Sequence, residues 1–482
     1  MEIDNEYLHR FFPDTGYENA FDLICKFADT SNTDRSYFGY IEKIFRFSKQ
    51  PRPVKTVALC NVKLNNGGIE RVLSLLSAGL AELENGTKYN IIIATDEEPA
   101  ANDYDLSPLV SRYILPAYDP EKNNYRERGN ALLELIDKQQ IDAFVFSSYA
   151  APGLLWDLLT IKSSTRNPAF FIHLHNYFPS IFAIPRQNID LVWQAFSAAD
   201  GIITLSDADR KICQNLNKKT YKIINPCLTN QADKKNQWKD GTHHILWIGR
   251  ISQQKQPLEI VKIMKHVTEE LPDAVCHVVG SDDDALMVLL KKSISENKLD
   301  NRIILEGFHK SVDDFYQNAD VFISTSSFEG FPSTYMESAS YGIPSVTYDI
   351  PWLEYYNIID GWEKVPQYDE KAAAKAIISL LRNKSYWEER SRRIYESFLK
   401  YRAHNTAEDW TEVFDNYEKG ITPPQYEMSS AEYAEVLNQI AFFHARSLEF
   451  IDEIYKSSSY RVGNKLIKPL HALKKLKKKL NG

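Results

Sequence analysis

Short runs of contiguous apolar residues punctuate this chain, separated by longer stretches in which apolar positions recur every three or four residues. The runs at Thr56–Val62, Asn90–Ala94, Asp142–Ser147, Ala169–Ile172, Ala199–Ser206 (with its turn), His244–Arg250, Val275–Gly280, Ile303–His309 (with its loop) and Ala319–Ile323 read as strands buried on both faces, the pattern of a parallel sheet. Between them, helical spacing predicts a helix that follows the Gly67–Arg71 turn and runs through Leu83, and others around Gly129–Lys138, from Pro257 onward and from Ser333 to Tyr341. Strand and helix in turn predict an α/β fold of two Rossmann-like doubly wound domains. Residues 1–52 have helical spacing at Leu23, Ile24 and Phe27 and at Ile41, Ile44 and Phe45, and read as a helical extension. The first α/β domain is placed at 53–225 and the second at 243–400, with a polar Lys/Asn/Asp-rich linker at 226–242. A helix at 401–422 is expected to cross back to the first domain before Pro423-Pro424 stops it, followed by an accessory helix at 425–455 and a tail at 456–482. In the accessory helix Tyr433, Leu437, Ile440, Leu448, Ile451 and Ile454 form a stripe, read either as a face packed on the body or as a self-association surface through 428–455.

Charge changes the picture at one end. The chain of 482 residues has a formal net charge of −8, but its last 27 residues hold nine Lys or Arg and no acid, which leaves the first 455 residues at −17. An acidic body excludes a nucleic-acid-binding surface as its main business. In the tail, Val462, Leu466, Leu470, Leu473 and Leu480 fall near one face, with Lys465, Lys468, Lys474, Lys475, Lys477, Lys478 and Lys479 around the rest. That is the composition of a helix that lies on an anionic membrane surface; a solvated tail is the alternative. No apolar run approaches the roughly 18 residues a membrane span needs, and the start MEIDNEYLHRFF has no apolar signal core, so a cytoplasmic protein is expected. Five scattered cysteines without a C-x-x-C pair predict reduced thiols and no structural zinc.

The chemistry concentrates between Ser324 and Ile343. The order there is strand, Phe328-Glu329-Gly330-Phe331 turn, Pro332 in the first turn of a helix, then Ser333, Thr334 and Glu337 within it, with Gly342 as its stop. Free N–H groups and the positive dipole end at that helix start suit a phosphate. Glu329 and Glu337 flank it, and a carboxylate can accept two hydrogen bonds from vicinal hydroxyls. Arg250 and Lys255, five apart after the Ile245–Gly249 run, can embrace a diphosphate. Gly67-Gly68 at the first strand-to-helix turn lets backbone approach a ligand. His173 and His175 project the same way from a strand end; without a nearby Cys or carboxylate they make no metal set, and they read as cleft histidines. The Asp282-Asp283-Asp284 run reads as a helix cap, not a metal site.

F-E-G-F-P-S-T-Y-M-E-S-A-S-Y-G-I-P-S-V closely resembles the E-x7-E segment of the retaining GT-B glycosyltransferases of family 4, and the resemblance extends over roughly Lys55 to Glu418. It implies two Rossmann-like domains facing a cleft, no bound metal or other cofactor, and a nucleotide sugar as co-substrate. By the resemblance, Glu329 with Gly330, Phe331 and Pro332 would meet the transferred sugar and Glu337 the ribose. Gly249, Arg250 and Lys255 would hold the diphosphate, Gly307 and Phe308 would sandwich the base (Phe308 being core as the alternative), and Gly67 and Gly68 would line the cleft. His175, with His173 in reserve, would lie near the donor sugar. The implied catalytic set is therefore His175, Glu329, Arg250 and Lys255. One stretch departs from the pattern: Ile350-Pro351-Trp352-Leu353-Glu354 and Asp360-Gly361-Trp362-Glu363 lack the family's second glycines, so the wall around the sugar is open to question. The implied activity is a hexosyl-type transfer from a UDP- or GDP-sugar to a lipid-linked or cell-envelope glycan acceptor at the inner membrane face. The alternatives are a catalytically silent membrane-associated scaffold of the same fold, or another GT-B enzyme such as a sugar-nucleotide epimerase.

Overall fold

The computed structural model describes residues 1–30, 41–46, 51–65, 67–183, 189–227, 235–241, 243–280, 284–309, 311–350 and 353–456. The tail lysines and the Asp282-Asp283 cap lie outside these residues.

Two parallel sheets organise the chain. The first contains β1 (Thr56–Asn61), β2 (Asn90–Thr95), β3 (Val110–Ile114), β4 (Ala143–Phe146), β5 (Ala169–His173), β6 (Gly201–Thr204) and β7 (Thr220–Lys222). They lie in the order β3-β2-β1-β4-β5-β6-β7, all parallel. The second contains β8 (His244–Ile248), β9 (Val275–Val279), β10 (Ile303–Gly307), β11 (Val321–Ser324), β12 (Ser345–Tyr348) and β13 (Glu363–Val365), in the order β10-β9-β8-β11-β12-β13. Both orders reverse direction beside the first strand, and such switch points open a crevice at the carboxyl strand ends. Every residue of β1, β4, β5 and β6 is buried, which explains why these segments are apolar without alternation.

The flanking helices differ in what they bury. Ala20–Thr30 (α1) inserts Leu23, Ile24 and Phe27 into the same core as Leu132 and Leu158, so the N-terminal extension is part of the first domain's body. α2 (Gly68–Glu82) follows β1 and α3 (Asp207–Gln214) follows β6. In the second half α4 (Asp313–Asn318) precedes β11 and α5 (Ser333–Ser340) follows it. α6 (Lys384–Arg402) runs two residues past the expected domain end, and Asn405 then caps α7 (Thr406–Glu418). α7 crosses back: Phe414 packs on Tyr89 and Phe171, Tyr417 also meets Phe171, and the Glu418 carboxylate accepts the Val54 N–H at 2.7 Å.

One expectation needs correction, that for the accessory helix. The described part of the linker packs on the second domain. Asn236 donates to the carbonyls of Tyr316 and Ala319 at 2.8 and 3.0 Å, and Trp238 packs on Trp387, so residues 235–240 belong to the second domain's surface. The accessory helix α8 (Ser430–Lys456) lies on the body, but through a face offset from the expected stripe. Val436 and Phe443 are its buried positions, with Ile440 packed beside them, while Tyr433 and Leu437 stay exposed. Phe443 wins because its ring fits between Tyr177 and Phe328, an anchor that helical spacing alone does not reveal. Side chains from 446 onward, including Leu448, Ile451 and Ile454, lie outside the described residues. No described helix is long and apolar enough to cross a membrane.

Candidate active site

The loops after β8 and β11 are sewn together by hydrogen bonds. The Trp247 indole donates to Thr325 Oγ1 at 3.0 Å, Thr325 Oγ1 donates to the carbonyls of Lys255 and Gln256 at 2.8 and 3.1 Å, and the Ser327 N–H donates to the Gln254 carbonyl at 2.8 Å. This stitching brings Lys255 Nζ to 2.5 Å from Glu329 Oε1, with side chains only 16% and 7% exposed. Gln254 Nε2 donates to the Phe328 carbonyl at 3.0 Å and steadies the turn from beneath. Arg250 is exposed at the start of the same loop and makes no ion pair with another described residue. Lys255 and Glu329 therefore share the space before α5.

The start of α5 is open. Its N-cap is Pro332, in extended conformation at φ −71° and ψ 120°, and no side chain caps the first-turn N–H groups. Pro332 thus stands one position before the helix instead of inside its first turn, because the pyrrolidine ring accepts the extended ψ that the sharp entry requires. Ser333 and Thr334 are half-buried at the first turn. Phe331 is a correction: its ring leaves the cleft and packs on Tyr355 and Tyr401, 5.3 and 6.0 Å away, so that this residue can offer a ligand only its backbone. Gly342, at φ +64°, ends the segment in the left-handed conformation expected of a helix stop.

A floor of bare backbone lies under Arg250. Gly249 donates to the Val279 carbonyl at 3.1 Å and Gly280 to the Gly307 carbonyl at 2.8 Å. A Cβ on Gly280 would come 1.9 Å from the Gly249 oxygen, so strands β8 and β9 approach here only because the residue is glycine. Gly307 (φ +73°) faces open space, and Phe308 beyond it is 70% exposed, which rules out the core alternative for its ring.

From the first domain, His175 is pressed against the turn. A Cβ on Gly330 would lie 2.4 Å from the His175 carbonyl oxygen and 2.7 Å from Asn176 Cα. His175 Nε2 lies 3.0 Å from Ser147 Oγ, and its Nδ1 has no hydrogen-bond partner among the described residues. Burial pushes its pKa down to about 3, so the imidazole is neutral at physiological pH. His173, whose ring centre lies 3.8 Å from that of His175, backs onto Trp410 and is also held neutral by burial. Of the two histidines, it is His175 whose backbone, with that of Asn176, meets the Gly330 turn.

Gly67 is the N-cap residue of α2, and Gly68 is exposed at its first position. The next turn supplies a residue to which the motif reading assigned no role. Arg71 reaches across the seam between domains, its Nη1 2.6 Å from Glu337 Oε1, while Tyr316 Oη donates to Glu337 Oε2 at 2.8 Å. A second cross-seam tie comes from the departing segment: Glu354 accepts from Lys222 Nζ at 3.1 Å and from the Asp207 N–H at 3.2 Å. Both pairings join residues more than 130 positions apart, and no local spacing announces them. Among the described residues no cluster of three or more His, Cys, Asp or Glu could hold a metal ion.

Residues 229–398 match the family model described as Glycosyl transferases group 1. The structure resembles a glycosyltransferase from Rickettsia africae at TM-score 0.60 and 16% identity, over 76% of this chain and 99% of that one. It resembles S. aureus TarM, solved with UDP and alpha-GlcNAc-glycerol, at TM-score 0.58 and 11% identity, over 76% of this chain and all of that one. The fold is GT-B. A Bacillus subtilis poly(glycerol-phosphate) alpha-glucosyltransferase is 34% identical over 165 residues, 34% of this chain and 24% of that protein. An Escherichia coli UDP-Gal:alpha-D-GlcNAc-diphosphoundecaprenol alpha-1,3-galactosyltransferase is 24% identical over 308 residues, 59% of this chain and 76% of that protein. The chain spans about a quarter of the length of the first two curated relatives it matches.

Proposed function

We propose that this chain is a retaining glycosyltransferase of family 4, moving a sugar from a nucleoside-diphosphate donor to a lipid-linked or cell-envelope glycan acceptor. The observation that carries the reading is Lys255 paired with Glu329 directly before the uncapped start of α5. Breaking the anomeric bond leaves extra negative charge on the diphosphate. Lys255, Arg250 and the free amides of Ser333 and Thr334 are the groups that would meet it, and preorganised donors of this kind contribute about 3 kcal/mol each where they have been removed one at a time. Glu329 and the backbone of Gly330–Pro332 would orient the sugar, with neutral His175 offering a hydrogen bond and no proton transfer. Glu337 would read the ribose hydroxyls; the Gly249-Gly280-Gly307 floor and the Phe308 ring would take the base. The names of similar proteins support a UDP-sugar over a GDP-sugar and an undecaprenyl-linked or polyol-phosphate acceptor. No metal is needed where the leaving group is neutralised by side-chain cations and amides. The Lys-rich tail would hold the enzyme on the inner face of the membrane.

Slow hydrolysis of a panel of UDP- and GDP-sugars, with thermal stabilisation of the full chain by each, tests the reading. One donor should both stabilise and turn over, and Lys255→Ala should lose at least a hundred-fold in turnover. A folded chain that neither hydrolyses nor is stabilised by any donor would favour the silent scaffold. Removing residues 456–482 should abolish pelleting with phosphatidylglycerol vesicles; unchanged pelleting would end the membrane assignment.

A further inference from the structure

We propose that Arg71 is a positioning residue that aims Glu337 at the donor ribose from the opposite domain, so that the ribose is read only while the two domains are together. This rests on the reading of Glu337 as the ribose acceptor. A carboxylate has about four lone-pair positions, two on each oxygen. Arg71 occupies one on Oε1 and Tyr316 one on Oε2, which leaves one on each oxygen: a matched pair for the two hydroxyls of a vicinal diol. Without Arg71 the carboxylate is held at one oxygen only and can turn about its last bond. Burial and the Glu337 charge keep the Tyr316 phenol protonated, so it remains a donor throughout the working pH range.

The local structure that delivers Arg71 is specific. The bare Cα of Gly67 lets the Glu70 side chain fold over it, since a Cβ there would sit 1.9 Å from Glu70 Oε2, and Asn61 Nδ2 reaches Glu70 Oε1 at 3.4 Å. The Arg71 N–H donates to the Gly67 carbonyl at 3.2 Å, which closes the first turn and faces residue 71 toward the second domain. An independent contact supports the docking: Val72, on the same turn, is buried with Phe322, Tyr335 and Met336 in a cluster that spans the seam. The glycine pair thus has a second consequence besides lining the cleft, which is to bring a cation to the far side of the donor.

Binding of UDP and of 2′,3′-dideoxy-UDP to the full chain, measured by calorimetry, tests the inference. The natural chain should prefer UDP by at least ten-fold, and Glu337→Ala should erase that preference. Arg71→Met should cut the preference at least three-fold while leaving the affinity for the dideoxy nucleotide within two-fold, and Tyr316→Phe should do the same from the other oxygen. Arg71→Lys, which keeps a charge but not the planar fork, should fall between. Equal weakening of both nucleotides by Arg71→Met, or an undiminished preference, would overturn the positioning role while leaving Glu337 as the reader. A full preference in Glu337→Ala would overturn both.

Discussion

Lys255 and Glu329 form the interaction that carries the proposed donor site, and two substitutions separate its structural from its chemical part. Lys255→Met removes the cation from a carboxylate that is only 7% exposed. Breaking one side of a buried pair costs about 3–5 kcal/mol, and the 16% exposure of the lysine lets water make up part of the loss, so about 3 kcal/mol is expected. Adding Glu329→Gln removes the stranded charge, and the amide can still accept from Gln254, whose Nε2 lies 3.5 Å from Oε2. The double variant should therefore recover about 2 kcal/mol of the loss. Activity should not follow. The leaving diphosphate would lack the Lys255 cation and keep only Arg250 in both variants, and turnover should stay down by about two to three orders of magnitude. Denaturant unfolding followed by tryptophan fluorescence reads the first quantity, since the Trp247 indole on β8 is hydrogen-bonded to Thr325 of the stitched loops, and release of nucleotide from the donor reads the second. Recovery of turnover along with stability in the double variant would refute the reasoning, because the pair would then be a structural bridge only.

Other variants probe the surroundings. Gly330→Ala should lower turnover by about a hundred-fold, the usual consequence of a displacement near 1 Å, because its Cβ meets main-chain atoms of His175 and Asn176 that cannot yield; thermal melting should move little. Phe443→Ala should weaken the docking of α8 by about 3 kcal/mol and expose the helix to limited proteolysis, while leaving the two sheets intact. His173→Leu tests the buried histidines. Both histidines have depressed pKa values when folded, so their contribution to stability is complete above about pH 6.5 and is lost as pH falls toward the folded values, about 3 for His175. Unfolding free energies from denaturant titrations between pH 6 and 4.5 should fall less steeply in the variant, by about 1.4 kcal/mol per pH unit; an unchanged slope would show that His173 is not protonated on unfolding in this range.

The strands were legible because a parallel sheet covered on both faces needs unbroken apolar segments, and Thr56–Asn61 and Val321–Ser324 are of that kind. The meeting of Lys255 and Glu329 was legible for a related reason. Their loops leave β8 and β11, which are neighbours in the second sheet, and parallel neighbours deliver their following loops to one edge. What escaped depends on approach between domains or on competition between faces one residue apart. Arg71 and Glu337 lie 266 positions apart on helices that flank separate sheets, so that neither helix pattern contains the other's partner. Phe331 reads as a cleft residue by its place in the motif, yet Tyr355 and Tyr401 offer its ring an apolar slot, and burying an aromatic ring outweighs exposing it beside a polar ligand. In α8 the rows through Leu437 and through Phe443 are comparably apolar, and only the position of Phe328 and Tyr177 decides between them.

The segment whose glycines are missing acquires a meaning from these ties. Where the resembled pattern has its second glycines, this chain places Leu353 and Tyr355 in the aromatic cluster behind Phe331, and Glu354 on Lys222 and the amide that opens α3. Together with Arg71–Glu337 this makes two charged links across the seam, beside the close approach of His175 and Gly330. Neither link is deeply buried: the cations keep 33% and 27% of their side-chain surface, so each contributes about 1 kcal/mol in a screened setting. Links of that size bias the domains toward contact without locking them, because a donor bound at micromolar affinity carries about 8 kcal/mol and far exceeds both. The arrangement suits a site that must close to keep water from the anomeric carbon and reopen after each transfer. It also locates the specialisation of this chain: α8, braced by Phe443 against the Phe328 turn of one domain and Tyr177 of the other, adds a third brace beside the two charged links.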